Sequence, residues 1–346
     1  MKFFKSILTV PLFMICIALI SLLYSCSDSI VNPTSNVGFD SARFFWSYDT
    51  VSTGPYYAGE MYTPDTNNIF IIGSDSKSIV RIVNGTKQYY NFSSGEYVQS
   101  MIGSDINNSY LFGAYSVGNV YKPLAWKWNG NGFDKIATSY MHDVDFRVYN
   151  GLYVNSNEMW LGCSTGLVLK FDGNDFQKTT YPDSLKVKNI YVDSENKLRM
   201  LANKVIFNEP VVVIYYLFEY QNNIWNPIYS DSVYDKAYYL LNKEIVGFNE
   251  YGILLFDGHS LNKVIDYYSM SYINRVAGNS LNDFVGLGRG NDFPNAGLLF
   301  HWNGKKWSKE VRNFDAFETR LNRVNDNFYV AYNWSGQTWL YIGRRK

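Results

Sequence analysis

Beyond residue 40 the chain is written in short apolar runs broken by polar turns. A representative stretch carries Gly151-Leu152-Tyr153-Val154, then Glu158-Met159-Trp160-Leu161-Gly162, then Leu167-Val168-Leu169-Lys170-Phe171, and last Phe176-Gln177-Lys178-Thr179. β-Branched and aromatic residues fill these runs and helical periodicity is nearly absent, so the pattern predicts strands. The third and fourth runs are joined through Asp172-Gly173. The same aromatic-or-apolar-plus-turn segment recurs as Val83-Asn84-Gly85, Trp128-Asn129-Gly130, Tyr220-Gln221-Asn222-Asn223, Phe256-Asp257-Gly258 and Trp302-Asn303-Gly304. Asn-Gly and Asp-Gly between apolar runs are strong hairpin signals, because both central residues of a type I′ turn need positive φ. The last residues of successive segments lie 45, 43, 50, 35 and 46 positions apart. A period of about 40–50 residues with four strands per unit is that of a propeller blade.

Four-stranded sheets repeated radially bury both faces against their neighbours and leave only short edges exposed, so the expected fold is an all-β propeller. Six complete units run from about 56 to 311. A seventh has strands near 320–324, 328–333 and 339–344 and ends before a fourth. Arg43-Phe44-Phe45-Trp46-Ser47-Tyr48 is a spare strand at the other end of the chain. If it supplies the outer strand of the last blade, the ring closes with no open edge. Seven blades are therefore expected, with six or eight as alternatives, and 41–346 forms one domain.

The aromatic-Asp/Asn-Gly-x-x-aromatic pattern, plain in Phe171-Asp172-Gly173-Asn174-Asp175-Phe176 and Trp302-Asn303-Gly304-Lys305-Lys306-Trp307, resembles the repeats of two-component-regulator and kelch-like propellers. The resemblance implies the fold. Those families include sensors, adhesins, enzymes and scaffolds, so it does not imply the function.

The N-terminus has a different layout. Lys2 and Lys5 precede an uncharged, mostly apolar run from Ile7 to Leu23, as in a signal peptide covering 1–25. Leu23-Tyr24-Ser25-Cys26 resembles the lipobox of bacterial lipoproteins, with Tyr24 a departure from the usual small residue. The resemblance implies cleavage before Cys26 and a lipid on its thiol. A retained transmembrane helix is the alternative, but no basic stop-transfer cluster follows the run. Cys26-Ser27-Asp28-Ser29 resembles the post-cysteine segment of lipoproteins from the Bacteroidetes group, which implies a lipid-anchored protein of the outer membrane or cell surface. Residues 26–40 are rich in Ser, Asn, Asp and Pro and read as a flexible tether.

Composition narrows the function. Thirty-one acidic and 31 basic residues cancel, so no field attracts nucleic acid. The expected partners are the membrane, through the lipid, and a protein or glycan ligand, with the domain itself monomeric. Only Cys163 remains beside Cys26 after processing, so no intramolecular disulfide forms and packing must supply the stability. No zinc helix, nucleophile elbow, phosphate loop, dinucleotide fingerprint or calcium loop is present, and neither cofactor nor metal is expected. His142, His259 and His301 fall in different units, where surface or packing roles are the ordinary fate.

Two features carry the site expectation. In His142-Asp143-Val144-Asp145, strand alternation would place Asp143 and Asp145 on one side, a pair of carboxylates for a cation or for acid/base work. Solvated loop residues are the plainer reading. The connections between second and third strands are tight in units three and five but extended in units two, four and six, at 116–123, 203–210 and 290–295. Long loops on a compact scaffold tend to be functional. The predicted ligand-gripping set is Tyr121, Lys122, Arg289, Asp292 and Phe293 from these loops, with Tyr140 and Tyr181 from the blade-to-blade loops; packing of the rings between blades is the competing fate. A binding module follows, with a carbohydrate-active or other hydrolase using channel carboxylates, or a scaffold subunit of an envelope complex, as rivals.

Overall fold

The computed structural model describes residues 44–345 except 54–57, 118–119, 139–147, 164–165, 180–184, 208–211, 234–236, 242, 250–251, 258–259, 267–269, 291–292, 315–319 and 335–336. Its strands form seven four-stranded antiparallel sheets. Six of them take four consecutive strands each, beginning with Ala58–Tyr62, Asn68–Gly73, Ser78–Val83 and Thr86–Asn91 in blade 1. Blade 7 takes Arg320–Val324, Asn327–Trp334 and Gln337–Arg345 from the end of the chain and Phe44–Thr53 from its beginning. The predicted closure strand thus pairs with the last strand, from Phe44↔Arg345 to Thr53↔Gln337. Glu310 of blade 6 fastens it, accepting hydrogen bonds from the Phe44 amide at 3.1 Å and the Trp46 indole at 3.3 Å.

The recurring turns divide into two kinds. Asn84-Gly85 and Asn222-Asn223 are two-residue turns with both residues at positive φ, as expected. Around Asn129, Asp172, Asp257 and Asn303 the loop is four residues long. There the Asn or Asp side chain accepts backbone N–H groups two or three residues on, such as Asn174 and Asp175 onto Asp172 at 2.9 and 2.8 Å. These are Asx turns: the carbonyl or carboxylate oxygen supplies acceptors the backbone lacks, so at these sites the type I′ expectation is corrected. The hydrogen bonds onto Asp172 also hold its carboxyl below the ordinary value.

The aromatic residues flanking these turns explain the composition. Trp128–Phe133, Phe171–Phe176, Tyr220–Trp225 and Trp302–Trp307 pair across their hairpins with ring centroids 4.8–5.1 Å apart. The preceding blade sends a ring from its second strand onto the pair: Phe70 to Trp128 at 5.4 Å, Phe112 to Phe171 at 5.4 Å, Trp160 to Tyr220 at 4.7 Å. Blades 1 to 4 are therefore joined in succession by edge-on aromatic packing, whose preferred geometry adds about 0.5–1.5 kcal/mol per pair to the area buried. Blades 4 and 5 use tyrosines instead, Tyr215 lying 4.3 Å from Tyr238 in a buried cluster with Tyr191. Cys163 is fully buried in the core, and His301 is buried against Asp283, so both have packing roles.

Candidate functional site

Antiparallel strands alternate their ends, so the second-to-third connections and the blade-to-blade connections open on one rim and the first-to-second and third-to-fourth turns on the other. The extensions predicted as loops on blades 2, 4 and 6 are continued strands. Ser109–Val117 pairs with Val120–Trp128 out to Val117↔Val120, and Leu198–Ile206 pairs with Val212–Gln221 out to Ile206↔Val212. Asp283–Gly290 closes on Phe293–Trp302 at Gly290↔Phe293. Blades 3 and 5 stay short, with second and third strands of 6 and 4 residues and of 6 and 5 residues. Blades 2, 4 and 6 therefore carry longer second-to-third hairpins than blades 3 and 5, because their strands go on pairing where the short ones stop.

The strands of the blade 4 hairpin stay apolar toward its end. Val205, Ile206, Val212, Val213 and Ile214 are half-buried, and Phe207 is 84% exposed. On blade 2, Tyr121 packs against Tyr97 at 6.2 Å and Lys122 pairs with Tyr115, so the loop expected at these two residues is part of a strand. Arg289 and Phe293 lie on the strands of the blade 6 hairpin. Tyr140, Asp143, Asp145, Tyr181 and Asp292 lie outside the described residues, as does Cys26. The described members of this set thus lie on two blades, Tyr121 and Lys122 on blade 2 and Arg289 and Phe293 on blade 6.

A second group of residues, not singled out from the sequence, converges at the centre. The first strand of each blade is the innermost, and neighbouring first strands approach one another. Five of the seven carry a bulge at corresponding places, between Ala58 and Glu60, Val98 and Ser100, Val148 and Asn150, Val187 and Asn189, and Ile273 and Arg275. A bulge frees backbone groups from the ladder and re-aims side chains. Three hydrogen bonds tie four of these places to a neighbouring blade: the Val148 amide donates to Gln99 Oε1 at 2.9 Å, Asn150 Nδ2 to the Lys188 carbonyl at 2.8 Å, and Arg320 Nε to the Gly59 carbonyl at 2.7 Å.

Charges gather on this inner belt. Glu60 keeps partial solvent access, yet protein atoms surround it, and burial outweighs Arg320 and Arg275 to push its carboxyl up to about 7. Lys188 is exposed along the channel, but loss of hydration and the nearby cations Arg275 and Lys186 hold its ammonium below the ordinary value. Arg275, on the first strand of blade 6, influences both groups through space. Among the described residues no three His, Cys, Asp or Glu side chains come together to hold a metal.

The chain is a seven-bladed β-propeller, and solved structures share the fold. YCF48 bound to D1 peptide superposes with a TM-score of 0.62 at 12% identity, over 88% of this chain and 97% of that one. Virginiamycin B lyase from Staphylococcus aureus follows at 0.56 and 8%, covering 86% and 99%, and the WD40 propeller domain of Doa1 at 0.54 and 13%, covering 85% and 97%. At such identities the likeness shows the fold alone. No family model matches the sequence, and no curated protein matches it.

Proposed function

We propose that this chain is a surface lipoprotein that binds a protein segment on the rim carrying the raised hairpins. The observation that carries this reading is the blade 4 hairpin, which projects beyond the ring and leaves Phe207 84% exposed among branched apolar residues. Exposed apolar side chains grouped on a built element mark interaction sites, and aliphatic residues beside Phe207 favour a peptide over a sugar. YCF48, which has the same fold, was solved with a peptide bound. The lipid anchor rests on Leu23-Tyr24-Ser25-Cys26 and holds the propeller at a membrane through the tether 26–40. Replacing Cys26 by Ala should move the protein from the membrane pellet to the soluble fraction; retention in the pellet would rule out the lipid anchor.

The binding rim is tested in cells with the full chain, by placing a photoreactive residue at Phe207 or at Asn131 on the opposite rim. A discrete protein adduct is expected from position 207 and not from 131. Equal labelling at both positions, or none at 207, would reject the rim as the binding face.

A further inference from the structure

The closure strand enters the ring on a definite rim. In blade 7 the first-to-second turn is flanked by Val324↔Asn327, Asn327 pairs with Arg344, and Arg344 pairs with Phe45. Phe44 therefore lies on the rim of the first-to-second and third-to-fourth turns, and the strand's other end, Thr53↔Gln337, lies on the rim of the longer hairpins. The entry point is held by blade 6. Glu310 accepts from the Phe44 amide and the Trp46 indole, and Arg345, opposite Phe44, donates to Asp283 beside the blade 6 first-to-second turn. Phe207 is remote from this point in two directions. It follows Ile206 on the opposite rim, and blade 4 stands across the ring of seven from blade 7. The ten residues of the closure strand rise by about 30 Å. Cys26 precedes Phe44 by 18 positions, and a flexible chain of that length has a mean span of about 21–25 Å. With the hairpin rim against a bilayer the entry point would stand about 30 Å from it, and the chain would lose entropy in stretching that far. With the turn rim toward the bilayer no stretching is needed.

We propose that the lipid on Cys26 sets the propeller on the turn corner of blade 7, so that the turn rim faces the membrane and the blade 4 hairpin is held farthest from it. This rests on the lipid anchor and deepens the rim reading. It fixes the class of partner: the bound segment is carried in the aqueous phase and not at the level of the lipid headgroups.

The test uses the full lipidated chain in phosphatidylcholine vesicles carrying acceptor-labelled headgroups, and reads energy transfer from a donor on one introduced cysteine. The donor is placed by Lys305→Cys on the blade 6 turn, Ser194→Cys on the blade 4 turn, or Phe207→Cys; all three residues are exposed, whereas Cys163 is fully buried. Transfer should fall in the order 305, 194, 207, with the last donor about 30 Å farther from the headgroups than the first. Cys26→Ala should abolish transfer from all three. Inserting about 40 Gly and Ser residues between Asp40 and Ser41 should shrink the difference, because the mean span then exceeds the thickness of the ring. Transfer from 207 equal to or above that from 305, still dependent on Cys26, overturns the orientation and leaves the anchor. No transfer from any position removes the anchor and the orientation together. If the order holds while no adduct forms at position 207 in cells, the orientation stands and the rim reading fails.

Discussion

Deleting residues 44–53 from the otherwise complete chain should abolish the single cooperative thermal transition and drive the chain into strand-exchanged oligomers. The segment is the fourth strand of blade 7, and it buries Phe44 and Val51, each 2% exposed. Phe44 packs edge-on against His301 of blade 6 at 5.0 Å and Phe328 of blade 7 at 5.1 Å, so its loss opens a seam between two blades. Burying two such side chains stabilises by about 3–6 kcal/mol, a large part of a domain's margin. The deletion also strips the partner from Gln337–Arg345, and an unpaired strand recruits another chain. Circular dichroism melting and light scattering check both effects. The milder Phe44→Ala should fold and melt lower; a deletion variant that melts as the full chain does would mean that the ring does not depend on this strand.

Asp283→Ala should cost about 2–4 kcal/mol, less than the usual loss for a fully buried pair because Asp283 keeps 24% exposure. Its carboxylate accepts from His301 at 2.7 Å, Arg323 at 2.9 Å and Arg345 at 2.7 Å, which ties blade 6 to blade 7. Arg323 is 4% exposed, and its charge would be left without this partner. Burial alone would raise the Asp283 carboxyl, but His301 and the two arginines together hold it far below the ordinary carboxylate range. A depressed acid contributes stability that is complete above its unfolded value near 4 and is lost as pH falls through the folded value. The melting difference between wild type and Asp283→Ala should therefore be constant from pH 7 to 5 and shrink only below about 4. Melting curves at pH 7, 5 and 3 decide this, and a difference that narrows above pH 5 would assign the effect to another group.

Much of the architecture was legible because it is local. Period-two alternation and turn chemistry depend on neighbours in sequence, so the repeat, the four strands per blade, the seven blades and the spare strand at Phe44 could be read directly. The Asn-Gly and Asp-Gly signals located the turns, but the turn type was decided by whether the next strand began at once, as at Thr86, or two residues later, as at Phe176. The extensions on blades 2, 4 and 6 were visible as extra residues. That they are paired strands depends on a ladder partner across the hairpin, such as Ile206↔Val212.

The inner site was not legible, for a physical reason. Glu60, Lys188, Arg275 and Arg320 are dispersed over most of the chain, and no local rule relates them. Only ring closure brings the first strands of blades 1, 4, 6 and 7 to the centre, where burial alters the ionisation of Glu60 and Lys188. The same holds for the seam, where Phe44 meets Glu310 across 266 positions and Asp283 meets Arg345 across 62. The sequence by itself determined the blades and their order, because strands and turns answer to nearest neighbours. The tertiary structure alone decided which charges share a site, because electrostatic interactions depend on distance through space and on the dielectric that packing creates.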